Sequence, residues 1–360
     1  MATSFPITGS ITVGQIEPDA RASANRSVAT WLFVCCAHVF AMVVVGGVTR
    51  LTQSGLSITE WQPIIGAIPP LSDAQWQEAF AKYQLTPQYR QINTAMTLAE
   101  FKGIFWWEYL HRLLGRIIGL VFLAPLVWFV ARRRISPALT AKLLGIFALG
   151  AAQGVLGWYM VQSGLVDDPR VSPFRLSAHL GLAFAILGVM LWTAMTLRVP
   201  QLAVVDAPAQ RTARRLAFFL ALLVFVMVLS GAFVAGIRAG FAYNTFPLMN
   251  GHIVPPEILM LHPVWMNFFW NMATVQFDHR LLALVLAAVT LLLWWRLRVM
   301  PRLSSRAEIG GNALLGVLSL QIALGVATLV YAVPVPLAAL HQAGAVVTFA
   351  LALNVAHALR

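Results

Sequence analysis

Four histidines stand at matched places in the two halves of this 360-residue sequence. His111 lies in Glu108-Tyr-Leu-His-Arg112 and His279, 168 residues on, in Gln276-Phe-Asp-His-Arg280. His179, in Leu176-Ser-Ala-His-Leu180, has its counterpart 162 residues later in His341, within Ala338-Ala-Leu-His-Gln342. Between them Gln153-Gly-Val-Leu-Gly157 returns as Gln321-Ile-Ala-Leu-Gly325. Each histidine falls where an apolar segment begins, and an ionisable side chain at membrane depth is costly enough to be a functional hypothesis by default. A single one is often a polar residue satisfied by a neighbouring helix; two matched pairs are poorly explained that way. Structural zinc prefers four ligands in cysteine or carboxylate company, which neither half supplies. Two imidazoles on facing helices suit the axial ligation of a haem filling a bundle core. The residues therefore point to two haem sites, one per half. His38, His252, His262 and His357 lack this pairing and read as packed or solvated.

The elements that must carry these histidines follow from composition. The chain is 59% hydrophobic and only 11% charged, with a mean hydropathy of +0.76. A soluble fold carries roughly 25% charged residues, so this is an all-α integral membrane protein. Apolar stretches near 30–48, 113–131, 140–162, 177–197, 213–237, 279–297, 311–331 and 337–357 predict eight transmembrane helices, each about 20 residues as a bilayer requires. The net charge of +12 lies in loop arginines, with no zinc-finger spacing and no basic stripe interleaved with aromatics, which excludes nucleic acid as a partner. Arg21, Arg26, Arg132, Arg133, Arg134, Lys142, Arg198, Arg211, Arg214, Arg215, Arg296, Arg298, Arg302, Arg306 and Arg360 fall on one side, so both termini are expected in the cytoplasm. Four spans per half then make two four-helix bundles in a parallel repeat, residues 28–200 and 201–360, after a loose cytoplasmic tail at 1–27 without a signal-peptide pattern. All four paired histidines fall at the non-cytoplasmic ends of their helices. Cys35 and Cys36, adjacent in the first span, point about 100° apart and read as small buried apolar residues rather than a disulfide.

The halves differ where the chemistry would lie. Glu108 stands three residues before His111, and Gln276 three before His279. Residues at i and i+3 share a helix face, so a carboxylate would approach one site where the other has an amide. A carboxylate can take a proton; a glutamine can only hydrogen-bond. The alternative role for Glu108 is to neutralise Arg112. Arg112 and Arg280 follow the paired histidines and read as partners for haem propionates. The outer loop at 50–110 is longer than its counterpart and includes Trp76, Tyr83, Tyr89, Trp106 and Trp107, which predicts short interfacial helices beside an entrance for a bulky lipophilic molecule. The first half thus reads as a substrate site and the second as a permanent cofactor site.

These residues resemble the haem A synthases of bacteria and mitochondria over roughly 28–357. The resemblance rests on Gly46-Gly-Val-Thr-Arg50 with Ser54-Gly-Leu-Ser57, Glu108-Tyr-Leu-His-Arg-Leu-Leu-Gly-Arg116, Gln153-Gly-Val-Leu-Gly-Trp158, Ala239-Gly-Phe-Ala-Tyr-Asn-Thr-Phe-Pro-Leu-Met249, Gln276-Phe-Asp-His-Arg280 and Leu340-His-Gln342. It implies oxidation of a ring methyl group of haem O to a formyl group, giving haem A for cytochrome oxidase. It also implies that His279 and His341 ligate a resident haem b, that His111 and His179 present the substrate haem, and that Glu108 matches the family's essential glutamate. Some members carry a cysteine pair in the first external loop; this chain has none there and looks like the cysteine-free type. Implied partners are haem O, a haem O synthase, an electron-transfer partner, the lipid bilayer and a second copy of the chain. The implied location is a bacterial inner membrane. A bis-histidine dihaem electron-transfer cytochrome shares the spans and histidines but needs no Glu108–Gln276 asymmetry. A haem or ion transporter would place polar residues at mid-membrane rather than near one face.

Overall fold

The computed structural model describes residues 18–62, 65–166, 169–199, 208–301 and 303–360. Among them every extended element is a helix, and eight helices are long and apolar enough to cross a membrane. These are α1 (Pro18–Leu51), α4 (Leu98–Ala131), α5 (Pro137–Gln162), α6 (Pro173–Arg198), α7 (Pro208–Gly236), α9 (Met272–Arg298), α10 (Ser305–Val330) and α11 (Val335–Ala358). The eight expected spans are all present. Short helices α2 (Asp73–Gln84), α3 (Pro87–Gln91) and α8 (Asn267–Trp270) lie in the connections. Of the expected loose tail, residues 1–17 lie outside the described residues, and the remainder is helical because α1 begins at Pro18. Arg302 and the expected boundary between halves, at 200–201, also lie outside them.

Helix ends are set by local chemistry that hydropathy does not register. Thr97 and Glu100 form a reciprocal capping box, which starts α4 four turns before His111. Ser136 caps α5 ahead of Pro137, Asn271 caps α9, and Ser304 caps α10. At 1.5 Å per residue even the 24-residue α11 exceeds the roughly 30 Å hydrocarbon core. Outward faces stay apolar, with Leu120, Leu144, Leu284 and Leu320 all exposed, as helices solvated by lipid require.

Packing follows the same cyclic order in each half. α1 packs on α4, α4 on α5, α5 on α6 and α6 back on α1; likewise α7 on α9, α9 on α10, α10 on α11 and α11 on α7. The histidine-bearing helices, α4 with α6 and α9 with α11, are thus diagonal across each ring. α1, α6, α7 and α11 meet at the centre and hold most of the core, including Leu32, Phe184, Met190, Leu220 and Val355. Arg50, at the end of α1, donates to Ala235 O (3.0 Å) at the end of α7, and Thr196, near the end of α6, meets His357 of α11 at 3.3 Å. Corresponding helices of the two halves therefore end side by side. The long outer loop folds as α2 and α3 against the start of α4, where Trp76, Phe80, Tyr83, Phe101 and Phe105 make a second core.

Candidate functional site

Each of the four paired histidines rests on a glycine of an adjacent helix. A Cβ on Gly46 would come 2.9 Å from His111 Nε2, and one on Gly157 would come 2.9 Å from His179 Cε1. In the second half a Cβ on Gly231 would come 3.3 Å from His279 Cε1, and one on Gly325 would come 2.8 Å from His341 Cε1. Glycine has no Cβ, so α1, α5, α7 and α10 let a five-membered ring slide between helices and reach the bundle axis. Gln153 Nε2 donates to His179 O (2.9 Å), and Gln321 Nε2 donates to His341 O (2.7 Å). That bond explains the recurring Gln-x-x-x-Gly: one turn apart, the amide ties down the histidine's backbone while the glycine receives its ring. His111 and His179 are near enough for charge on one to act on the other, as are His279 and His341. Because α1 and α7 end together, all four sit at the same end of the molecule.

The two pairs are held differently. His279 Nδ1 is 3.0 Å from Ser230 Oγ, and His341 Nδ1 is 3.1 Å from Gln321 O. A backbone oxygen accepts only, so His341 carries its proton on Nδ1 and keeps Nε2 as a ligand atom. In the first half His179 Nδ1 is buried without a partner, and no hydrogen bond reaches the His111 ring among the described residues. No group of three or more His, Cys, Asp or Glu side chains able to hold a bare metal ion occurs among the described residues. The donor set is two imidazoles per half, which fits a metal already held in a macrocycle.

Glu108 is buried, and its carboxylate accepts four hydrogen bonds. Oε2 takes Ser57 Oγ (2.7 Å) and the Ile58 amide (2.8 Å); Oε1 takes Arg112 Nε (3.0 Å) and Nη2 (2.6 Å). Arg112 also donates to Ile58 O (2.7 Å) and Glu60 O (2.9 Å). Gln276 and Arg280 repeat the plan: Arg280 Nη2 donates to Gln276 Oε1 (3.1 Å), Tyr243 O (3.1 Å) and Thr245 O (3.0 Å). Both arginines thus clasp the segment that follows the first helix of their half, a role sequence adjacency to histidine did not reveal. All three nitrogens of Arg112 are engaged by protein, whereas Arg280 retains a buried Nε–H without a partner. The pairing of Glu108 with Arg112 is the alternative role expected for that glutamate.

The remaining sequence candidates take their bland readings. His38 Nε2 is 3.1 Å from Leu114 O, His357 is buried against Arg306 (3.0 Å), and His252 and His262 are exposed. Cys35 and Cys36 are buried and free. Ser230 and the four seating glycines were missed as functional residues, although Gly46, Gly157 and Gly325 lie in strings that sequence alone had singled out.

Eight apolar helices, with two pairs of histidines at one end, fit a multi-pass membrane protein. Residues 29–353 match the family described as cytochrome oxidase assembly protein. The chain is similar to proteins named heme A synthase: 56% identical to that of Nitrosospira multiformis, over 96% of both chains, and 53% identical to that of Nitrosomonas eutropha, over 93% of this chain and 94% of the relative. That of Rhodospirillum centenum is 48% identical over 95% of this chain and 91% of its own. The chain belongs to the cytochrome oxidase assembly protein family.

Proposed function

We propose that this protein is a haem A synthase, an oxidoreductase converting a ring methyl group of haem O to the formyl group of haem A, for cytochrome oxidase. The relatives' shared name and near-complete coverage support the reaction. One observation supports the division of labour: both second-half imidazoles have Nδ1 held, and neither first-half imidazole has. Hydrogen-bonded Nδ1 atoms fix the ring and raise the basicity of Nε2, which suits a resident haem b on His279 and His341. His111, whose ring takes no hydrogen bond among the described residues, and His179, whose Nδ1 is unpartnered and whose Nε2 meets only the Gln153 amide at 3.4 Å, suit a haem that must enter, react and leave. Arg280, with its free buried Nε–H, fits an anionic propionate.

Bound haem b would supply one-electron transfer; the rest falls to this chain's side chains. His111 and His179 present the substrate from opposite corners of the first ring. Glu108, on the helix of His111, sets the polar edge of that site, its carboxylate oriented by Arg112, Ser57 and Ile58. Two successive hydroxylations of the methyl, each adding an oxygen atom from water and releasing two protons and two electrons that the external redox partner accepts, would give a geminal diol, which loses water to the aldehyde. The side-by-side ends of α1 with α7 and of α6 with α11 support a parallel repeat, hence electron passage between halves at one depth. We further propose a bacterial inner membrane with both termini cytoplasmic, haem O supplied by a haem O synthase, an external redox partner, and a homo-oligomeric state. Membranes co-expressing this protein with a haem O synthase test the reaction. Haem A appearing only when both are present is the expected result; haem O unchanged beside bound haem b would instead indicate an electron-transfer cytochrome.

A further inference from the structure

The residue before each seating glycine on the first helix of a half differs: Ser230 precedes Gly231, and Val45 precedes Gly46. In the second half the serine hydroxyl lies 3.0 Å from His279 Nδ1, while valine offers His111 no polar atom. The fourth helices show the same contrast by another route. Gln153 and Gln321 both donate to the backbone of their histidine, yet only Gln321 also places its own carbonyl against the ring, 3.1 Å from His341 Nδ1. The corresponding His179 Nδ1 is buried and unpartnered. Two different groups, the Ser230 hydroxyl on α7 and the Gln321 carbonyl on α10, thus lie against Nδ1 in the second half; neither has a counterpart at Nδ1 in the first, where the His179 ring meets only the Gln153 amide, at Nε2 (3.4 Å).

We propose that Ser230, acting with the Gln321 carbonyl, is a positioning residue that locks the second pair with Nε2 free for iron and makes that site slow to exchange. The missing counterpart beside His111 leaves the first site free to exchange its haem. The inference rests on the proposed assignment of resident haem to the second half. An acceptor on Nδ1 fixes the tautomer and ring plane and strengthens donation from Nε2, and losing such a partner typically costs about 10- to 100-fold in metal affinity. A more basic ligand favours the ferric state, so loss of the lock raises the midpoint potential. Gln321 acts here through backbone, which leaves Ser230 as the mutable half.

The test follows haem transfer from the purified, haem-loaded protein to apomyoglobin, alongside a redox titration of the slowly exchanging haem. Ser230→Ala is expected to speed its release by about 10- to 100-fold and to raise its midpoint potential, with Ser230→Thr restoring both. A merely structural serine would not move the potential and would not be rescued by threonine alone. His279→Ala and His111→Ala separate the two claims. If His279→Ala loses the slow haem while Ser230→Ala exchanges and titrates as wild type, the lock is overturned and the assignment of halves stands. If His111→Ala loses the slow haem and His279→Ala keeps it, the assignment itself fails, and the lock with it.

Discussion

Arg112 meets Glu108 at 2.6 Å from one turn further along α4, and Arg280 meets Gln276 at 3.1 Å in the equivalent place on α9. One helix carries a buried ion pair where its repeat manages with a neutral amide. The clasp on the following loop survives in both, so the charge on Glu108 is not needed for that fold element. The contrast isolates what a carboxylate adds.

Glu108→Gln should therefore leave a folded, haem-binding protein, since Gln276 already shows that an amide suits the clasp. Conversion of haem O should fall by about 100-fold or more, the contribution of a positioned acid–base group. Glu108→Ala should instead be destabilising by about 3 kcal/mol, because it strands Arg112, whose side chain is 19% exposed. Haem A yield, with thermal unfolding in detergent, distinguishes the two; full activity in Glu108→Gln would remove the carboxylate from the chemistry.

Seating glycines make a prediction with a control in the same helix. On α10, a Cβ at Gly325 would press to 2.8 Å on the His341 ring, whereas one at Gly316 meets nothing within 4 Å. Gly325→Ala should lower bound haem b severalfold. Gly316→Ala should leave haem content unchanged and, through helix propensity, add up to about 1 kcal/mol of stability. Equal haem loss in both variants would mean that the effect is not seating.

Outside the membrane-spanning helices, the connection between α7 and α9 is tied by Tyr243, which donates to Glu257 at 2.6 Å. Burial, then the Glu257 hydrogen bond, pushes the Tyr243 hydroxyl up to about 12, and the same bond holds the Glu257 carboxyl below its usual range. Raised in the folded state, Tyr243 contributes stability that is fully present below pH about 10 and is lost as pH rises through about 12. Glu257, lowered, contributes above the ordinary carboxylate range and loses its contribution as pH falls through its folded value. Thermal denaturation against pH should show an alkaline loss in the wild type that is smaller in Tyr243→Phe.

The eight spans and four paired histidines were legible because hydropathy and repetition act on whole segments. Helix starts were not: α4 begins at Leu98 rather than near 113, since a Thr97–Glu100 capping box and aromatic packing by Trp76 and Phe80 carry the helix well beyond its apolar stretch. Neither was Ser230 legible, because its meaning depends on which face of α7 turns towards α9, a matter of packing between helices far apart in sequence. Arg112 and Arg280 make contacts that adjacency to a histidine did not suggest: a helical turn of 3.6 residues sends each guanidinium back to residue i−4 and to the loop above it.

Haem analysis of purified His279→Ala and His111→Ala proteins, each co-expressed with a haem O synthase, tests the division of labour between the halves most directly. The account predicts that His279→Ala lacks haem b, and that His111→Ala keeps haem b but carries neither haem O nor haem A. Haem b lost from His111→Ala and retained in His279→Ala would contradict it.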